Sequence, residues 1–314
     1  MPPAKPDEKE GAAMEVESTE GAPVINKGQK NKVNGKKDPE ELSAEDEALK
    51  EGLELAVTRL QESDTSLHKQ ALDHLVGEIR SATSSMTSVP KPLKFLRPHY
   101  GTLKDVYQSW ASSHSMKKTC ADMMSVLAMT MADKGTFECL KFKLQGTSVN
   151  ISSWGHEYVR YLSGEISEEY NKRQIEEAEL AEEDSSTDDL IALVNDIIPF
   201  QMSHNAEAEA ADLLIEVQKL DKFVTFDPPV VDDRNYERVC LYLLRTADFM
   251  GDPEDLDNIF STCFSIYMSR NKYFDALRVA LKMDDNERIS EVFSAVDKAG
   301  NSGNKKFPKD GQLV

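Results

Sequence analysis

His156-Glu157 opens the pattern HExxH, in which two histidines one helical turn apart bind zinc and the glutamate serves as base. The fifth position is Arg160, so the second ligand is missing. One imidazole does not make a zinc site, and His156 reads as a structural or surface histidine. The six histidines are scattered, and none stands at metal-ligand spacing from a cysteine. The four cysteines, Cys120, Cys139, Cys240 and Cys263, are far apart, lack any CxxC and lie among apolar residues. They read as buried reduced thiols. There is no GxxxxGK[ST] to cradle phosphates, no GxGxxG and no GxSxG. Carboxylates are abundant, but they fall on polar helix faces, where solvation accounts for them. No catalytic, cofactor-binding or metal-ligating residue is nominated, and the chain is expected not to be an enzyme.

Two aromatic words remain. Residues 153–160 carry Trp154 and Tyr158, with Tyr161 just beyond. Trp, Tyr and Arg dominate interface energetics, so this can be a partner hot spot. Trp154 and Tyr158 also lie one turn apart on an apolar stripe, which favours a helix–helix core contact. The word His204-Asn-Ala-Glu207 has the same two readings. A helix start capped by Asn205 is the simpler one.

The chain has 37 Lys and Arg against 56 Asp and Glu, a net charge of −19. That balance argues against nucleic acid and anionic membranes as main partners. It favours partners with basic patches. The polar N-terminus lacks the apolar core of a secretory signal, and no run approaches the ~18 apolar residues of a membrane span. A cytosolic or nuclear protein is expected. The lysines at 27, 30, 32, 36 and 37 read as part of a solvated tail rather than an address.

The elements that would position these residues are helices. Residues 1–41, rich in Lys, Glu, Gly, Pro and Ala, are expected to be disordered. Ser43 through Asp46 fits a capping box, ahead of an apolar stripe of Leu49, Leu53, Val57 and Leu60. Asp64 or Ser66 can cap a second helix carrying Leu72, Leu75 and Ile79. Residues 81–101 hold Pro90, Pro92 and Pro98, so no helix crosses them uninterrupted. Leu93, Phe95 and Leu96 nevertheless make this an ordered elbow, with a helix restarting at Pro98. A methionine stripe over 115–131 reads as core. Glu138 to Leu144 alternates like a strand but has no pairing partner, so a helix or irregular turn is expected there. Ser152 or Ser153 opens a long helix that runs into an acidic section over 176–189, solvated, frayed or a loop. Asp188 caps the next helix, stopped by Pro199, and another follows over 205–220. From 232 on, amphipathic helices near 234–248, 253–269, 272–282 and 285–296 alternate with short turns. This is how an α-solenoid looks in sequence. The expected class is all-α, an α-solenoid of antiparallel helix pairs. The expected divisions are a disordered charged tail (1–41), a helical domain (42–231), the start of a repeat array (232–297) and a disordered divergent tail (298–314).

Several long words add a resemblance. SMTSVPKPLKFLRPHYG at 85–101, SVLAMTM at 125–131, SWGHEYVRYLSGE at 153–165 and HNAEAEAADLL at 204–214 occur in order. VCLYL at 239–243 and ALRVAL at 276–281 extend them. Together they resemble the family of 26S proteasome non-ATPase regulatory subunit 2, over residues 41–292. The resemblance implies a non-catalytic α-solenoid scaffold in the regulatory-particle base, without cofactors, in cytoplasm and nucleus. It implies docking to proteasomal ATPases and other regulatory-particle subunits, in support of ATP-dependent degradation of ubiquitinated proteins. Ubiquitin, ubiquitin-like shuttle factors and a deubiquitinase are expected to dock on the family's repeat toroid, so none of their contact residues is carried over. The polar, Gly-rich 298–314 departs from the family pattern. It reads as an alternative or mis-spliced end, or a truncated product lacking the toroid. An uncapped solenoid would expose apolar surface there. The rival reading is an unrelated α-solenoid adaptor.

Overall fold

The computed structural model describes residues 42–84, 88–147, 151–180 and 186–301. The disorder expected of 1–41 and of most of 298–314 lies outside the described residues. Among those described there is no strand, and fourteen α-helices follow one another as an α-solenoid. The compact unit that begins at Ser43 shares one hydrophobic core, running from Leu53 to Val292.

Helix α1 (Ala44–Gln61) starts where its cap predicts: the Ser43 hydroxyl accepts the Asp46 N–H at 3.2 Å. The Asp46 carboxylate takes the Lys91 ammonium at 2.8 Å, tying the helix start to the elbow. Helix α2 (Thr65–Thr83) is capped by Asp64, which accepts the Ser66 N–H at 2.9 Å. The two pack as a hairpin through Leu53, Val57 and Leu60 against Leu72, Leu75 and Ile79.

The elbow is ordered, as expected, but it contains a helix of its own. Helix α3 (Lys91–Leu96) begins after Pro90, and Pro92 sits in its first turn, where no N–H is needed. The restart is therefore not at Pro98, which occupies a 3₁₀ turn (Arg97–His99) leading into α4 (Tyr100–Ser109). Leu93 and Leu96 are fully buried and anchor α3 on α1 and α2.

Helix α5 (Lys117–Met131) is buried on all sides over 120–128, so its methionines fill core. The alternating stretch forms α6 (Glu138–Gln145), a helix rather than a turn. The long helix does not begin at Ser152 or Ser153. A 3₁₀ turn (Ile151–Trp154) and Gly155 precede α7 (His156–Leu180). The helix also runs on through the first part of the acidic section, since it reaches Leu180. Arg173 holds it there by pairing with Glu169 at 3.0 Å and with Asp189 of the next helix at 2.6 Å.

Three boundaries differ from their expected caps and stops. Thr187, not Asp188, precedes α8 (Asp188–Ser203). Pro199 lies inside α8 instead of ending it. It sits on the exposed face, so water can satisfy the backbone carbonyl one turn back that loses its donor. Asn205 adopts φ +59°, and Ala206 is the residue before α9 (Glu207–Glu216). Helix α9 ends early because Gln218 turns left-handed at φ +53°, with Lys219 N–H bonding the Leu214 carbonyl at 2.8 Å.

After the short α10 (Lys222–Thr225) come α11 (Tyr236–Thr246), α12 (Pro253–Ser269), α13 (Tyr273–Lys282) and α14 (Asn286–Asn301), close to their expected spans. Helix α14 continues five residues past its expected end at 296. Ala276 and Ala280 are fully buried, which lets α13 approach its neighbours α12 and α14 closely.

The junction between α2 and α7 is tight. The Arg80 guanidinium lies 4.7 Å from the Trp154 ring centroid. Gly155 has φ +88°, and a Cβ there would meet the Thr83 carbonyl oxygen. Gly155→Ala should therefore lower unfolding free energy by about 2–4 kcal/mol, the sum of left-handed strain and overpacking. Gly164→Ala, in the same region but with open space around it, should be neutral or stabilise by up to ~1 kcal/mol. Urea unfolding of both variants checks the contrast.

Candidate interaction surface and internal polar network

Trp154 and Tyr158 are buried, so they form the helix–helix core contact. His156 is exposed, 4.8 Å by ring centroid from both Phe200 and His204. Among the described residues, no group of three or more His, Cys, Asp or Glu side chains could hold a metal ion. Glu207 is buried and receives the Arg238 guanidinium, whose other donor reaches Asn205 Oδ1 at 3.1 Å. All four cysteines are free and buried. Burial pushes the Cys120 thiol up to about 12, far from the reactive thiolate range.

Around α5 and α6, buried polar groups partner one another. Asp122 on α5 accepts from the Lys143 ammonium at 3.0 Å and from the Thr147 N–H at 3.1 Å, and the Thr147 hydroxyl also donates to it. Lys143 donates in addition to the Thr147 carbonyl at 2.9 Å. Gly146 permits this closure, since a Cβ there would fall on the Asp122 carboxylate. Ser125 and Tyr158 share a hydroxyl–hydroxyl bond of 2.7 Å, and Ser125 donates to the Cys139 carbonyl at 2.6 Å. Among the described residues, the partners of Ser125 are the Cys139 carbonyl and thiol and the Tyr158 hydroxyl, none of them a histidine base.

Helix α6 is tied on its other sides as well. The Glu165 carboxylate of α7 accepts the Leu140 N–H at 2.8 Å, capping an orphan donor of the first turn. Burial pushes the Glu165 pKa up, with the Leu140 bond opposing it. Glu138 accepts from Tyr100 at 2.6 Å and from Lys104 at 2.5 Å. Burial raises its pKa, but these two donors outweigh burial and the net shift is downward. Tyr107 donates to Gln145 at 2.7 Å.

A second array joins residues no sequence motif connects. His68 stacks on Trp110 with centroids 5.2 Å apart, and Trp110 on His114 at 4.1 Å. The Met116 N–H donates to His114 Nδ1 at 3.2 Å. That assigns the His114 proton to Nε2, which faces His68 Nδ1 at 3.5 Å. His68 Nε2 then donates to the Glu62 carbonyl at 2.8 Å. A third proton has no acceptor in this chain of bonds. Asp64 and Lys117 are the nearby charges.

On the outside, Leu241, Phe274, Leu281 and Phe293 are about half exposed or more. Phe274 and Leu281 stand seven residues apart, two turns along one face of α13. A groove of about 180 Å³ separately lies between 215–224 and 250–265.

An array of helix pairs on one continuous core is an α-solenoid module, a class that works by presenting surfaces. Residues 53–300 match the model of the RPN1 N-terminal domain, and the chain belongs to that family. It is 47% identical over 258 residues to 26S proteasome non-ATPase regulatory subunit 2 of Dictyostelium discoideum, covering 82% of this chain and 27% of that protein. It is 48% identical over 251 residues to homolog A of that subunit in Arabidopsis thaliana, covering 80% and 27%. It is 44% identical over 252 residues to 26S proteasome regulatory subunit rpn1 of Schizosaccharomyces pombe, again 80% and 27%. The chain thus spans a little over a quarter of the length of these curated relatives. Among the described residues, no helix is long and apolar enough to cross a membrane.

The histidine array carries a pH dependence. Burial, then His68 and Lys117, hold the His114 pKa below its ordinary 6.5. The folded chain therefore binds fewer protons than the unfolded one once the pH drops below 6.5. Stability from this site is fully present above that value and is lost as the pH falls toward the folded pKa. The urea midpoint should decline between pH 7 and 5.5. His114→Asn, which keeps an acceptor for the Met116 N–H, should flatten that decline.

Proposed function

We propose that this chain is a non-catalytic scaffold module of the proteasome regulatory-particle base. The match of residues 53–300 to the RPN1 N-terminal domain carries the reading. The names of the relatives, all regulatory subunits, support it. The geometry agrees in kind: serine, cysteine, lysine and carboxylate groups that could react are engaged inside the fold, while apolar side chains of α11, α13 and α14 face outward. Such faces suit packing against other helices. The partners we assign are proteasomal ATPases and other regulatory-particle subunits, in cytoplasm and nucleus. Docking of ubiquitin, ubiquitin-like shuttle factors and a deubiquitinase we assign to the part of the longer relatives that lies beyond the matched region. No cofactor is assigned.

Expression of the tagged chain in cells, followed by affinity purification and gradient sedimentation, tests this. Regulatory-particle ATPases should copurify and the chain should sediment with the particle. Recovery of the chain alone, at the position of a 35.2 kDa monomer, would overturn the assembly role.

A further inference from the structure

The motif around His156 lacks its second ligand because Arg160 stands at the fifth position. The fold brings another imidazole to the same place. His156 begins α7, and His204 follows the last residue of α8. Their ring centroids stand 4.8 Å apart with an interplanar angle of 80°, and both side chains are exposed. Phe200, one turn before His204, packs against both rings, at 4.8 Å from His156 and 4.3 Å from His204.

The backbone sets the tautomer of His204. Its Nδ1 lies 2.8 Å from the Phe200 carbonyl oxygen, which can only accept, so Nδ1 carries the hydrogen. Nε2 keeps its lone pair, on the ring edge away from that carbonyl. A bond from the other ring nitrogen to a carbonyl is the usual way a metal-ligating histidine is oriented. Among the described residues, His156 makes ring contacts but no hydrogen bond or ion pair, so its nitrogens are open to a ligand. The cations nearby in the chain are balanced. Arg160 pairs with Glu157 at 3.7 Å, and Arg238, which reaches Asn205, pairs with Glu207. An ion about 2.1 Å from one nitrogen of each ring stands about 3.2 Å from both centroids, and the 4.8 Å separation then sets the two bonds roughly 95–100° apart. That angle suits adjacent positions of a square-planar, octahedral or tetrahedral ion. Imidazole pairs select Zn²⁺, Ni²⁺ and Cu²⁺ over Mg²⁺ and Ca²⁺, which take oxygen ligands.

We propose that His156 and His204 form a two-imidazole site for a divalent transition-metal ion of the Zn²⁺, Ni²⁺ and Cu²⁺ class, completed by water. The ion cross-links the start of α7 to the end of α8. Such a site needs no third protein ligand, and it lies apart from the outward faces of α11, α13 and α14, so it stands or falls independently of assembly.

Calorimetric titration of the untagged full chain with NiCl₂ tests this. Ni²⁺ should bind at one site, resist displacement by a large excess of MgCl₂, and raise the melting midpoint by mass action. Cu²⁺ should bind more tightly than either Ni²⁺ or Zn²⁺. His156→Asn and His204→Asn should each weaken Ni²⁺ binding by about tenfold or more. The double variant should lose little beyond either single one, because a lone imidazole does not chelate. His74→Asn, which removes an exposed histidine of α2, should change nothing. Both target side chains are exposed, so the metal-free melting curves of the variants should match the parent. Electron paramagnetic resonance of the Cu²⁺ complex of the unaltered chain should show two coordinated nitrogens, a reading that depends on no variant. Ni²⁺ binding no stronger than that of the double variant overturns the proposal. So does displacement by Mg²⁺, which would mean attraction to the acidic surface, or affinity that survives either single substitution.

Discussion

The short helix α6 is the constraint on which the first half of the molecule depends. Three neighbouring helices hold it through polar bonds. Lys143 reaches Asp122 of α5, and the α5 serine Ser125 bonds the Cys139 carbonyl. Glu165 of α7 caps its first turn. Glu138 collects Tyr100 and Lys104 from α4, and Tyr107 of the same helix closes on Gln145. Solenoid helices contact mainly their neighbours, so sliding along the array is opposed only locally. Directional bonds from one helix to three others remove that freedom. The Asp122–Lys143 pair matters most because both side chains are almost wholly out of water, at 8% and 3% exposure. A charge in that position is tolerated only with its partner present.

This arrangement also explains what the sequence could and could not show. Helices such as α1, α2 and α12 bury one stripe and begin at Ser43, Asp64 and Asp252, whose side chains accept a first-turn N–H, so both period and boundary were legible. Helix α6 spends Glu138, Lys143 and Gln145 on other helices, so its polar residues do not mark a solvent face and its pattern mimics a strand. The start of α7 has no local signal, because the tight approach at Gly155 is to the Thr83 carbonyl, 72 positions away in the chain. Pro199 signals a stop in sequence, but it lies on the exposed face of α8, where the helix can bend and water can take the freed carbonyl. The His68–Trp110–His114 stack and the His156–His204 pair leave no local signature, since each joins segments separated by dozens of residues.

The same distribution of polar groups bears on function. Residues with chemical potential are consumed in holding helices together, and burial keeps the Cys120 thiol far from thiolate formation. What remains outside is shape, apolar side chains and negative charge. Those are the means by which a scaffold positions partners. The proposed scaffold role in the regulatory particle fits this distribution. A scaffold needs fixed angles between helix pairs more than an open cleft, and the ties converging on α6 supply them.

A double-mutant cycle across the buried pair is the most direct measurement of that account. Asp122→Ala and Lys143→Met are made singly and together, and unfolding free energies are read from urea denaturation. Each single variant should lose about 3–5 kcal/mol, because it strands a buried charge or its partner. The double variant should lose far less than the sum, leaving a coupling well above 1 kcal/mol. Single losses below ~1 kcal/mol that simply add, as for exposed ion pairs, would contradict the claim that this contact organises the helices around it.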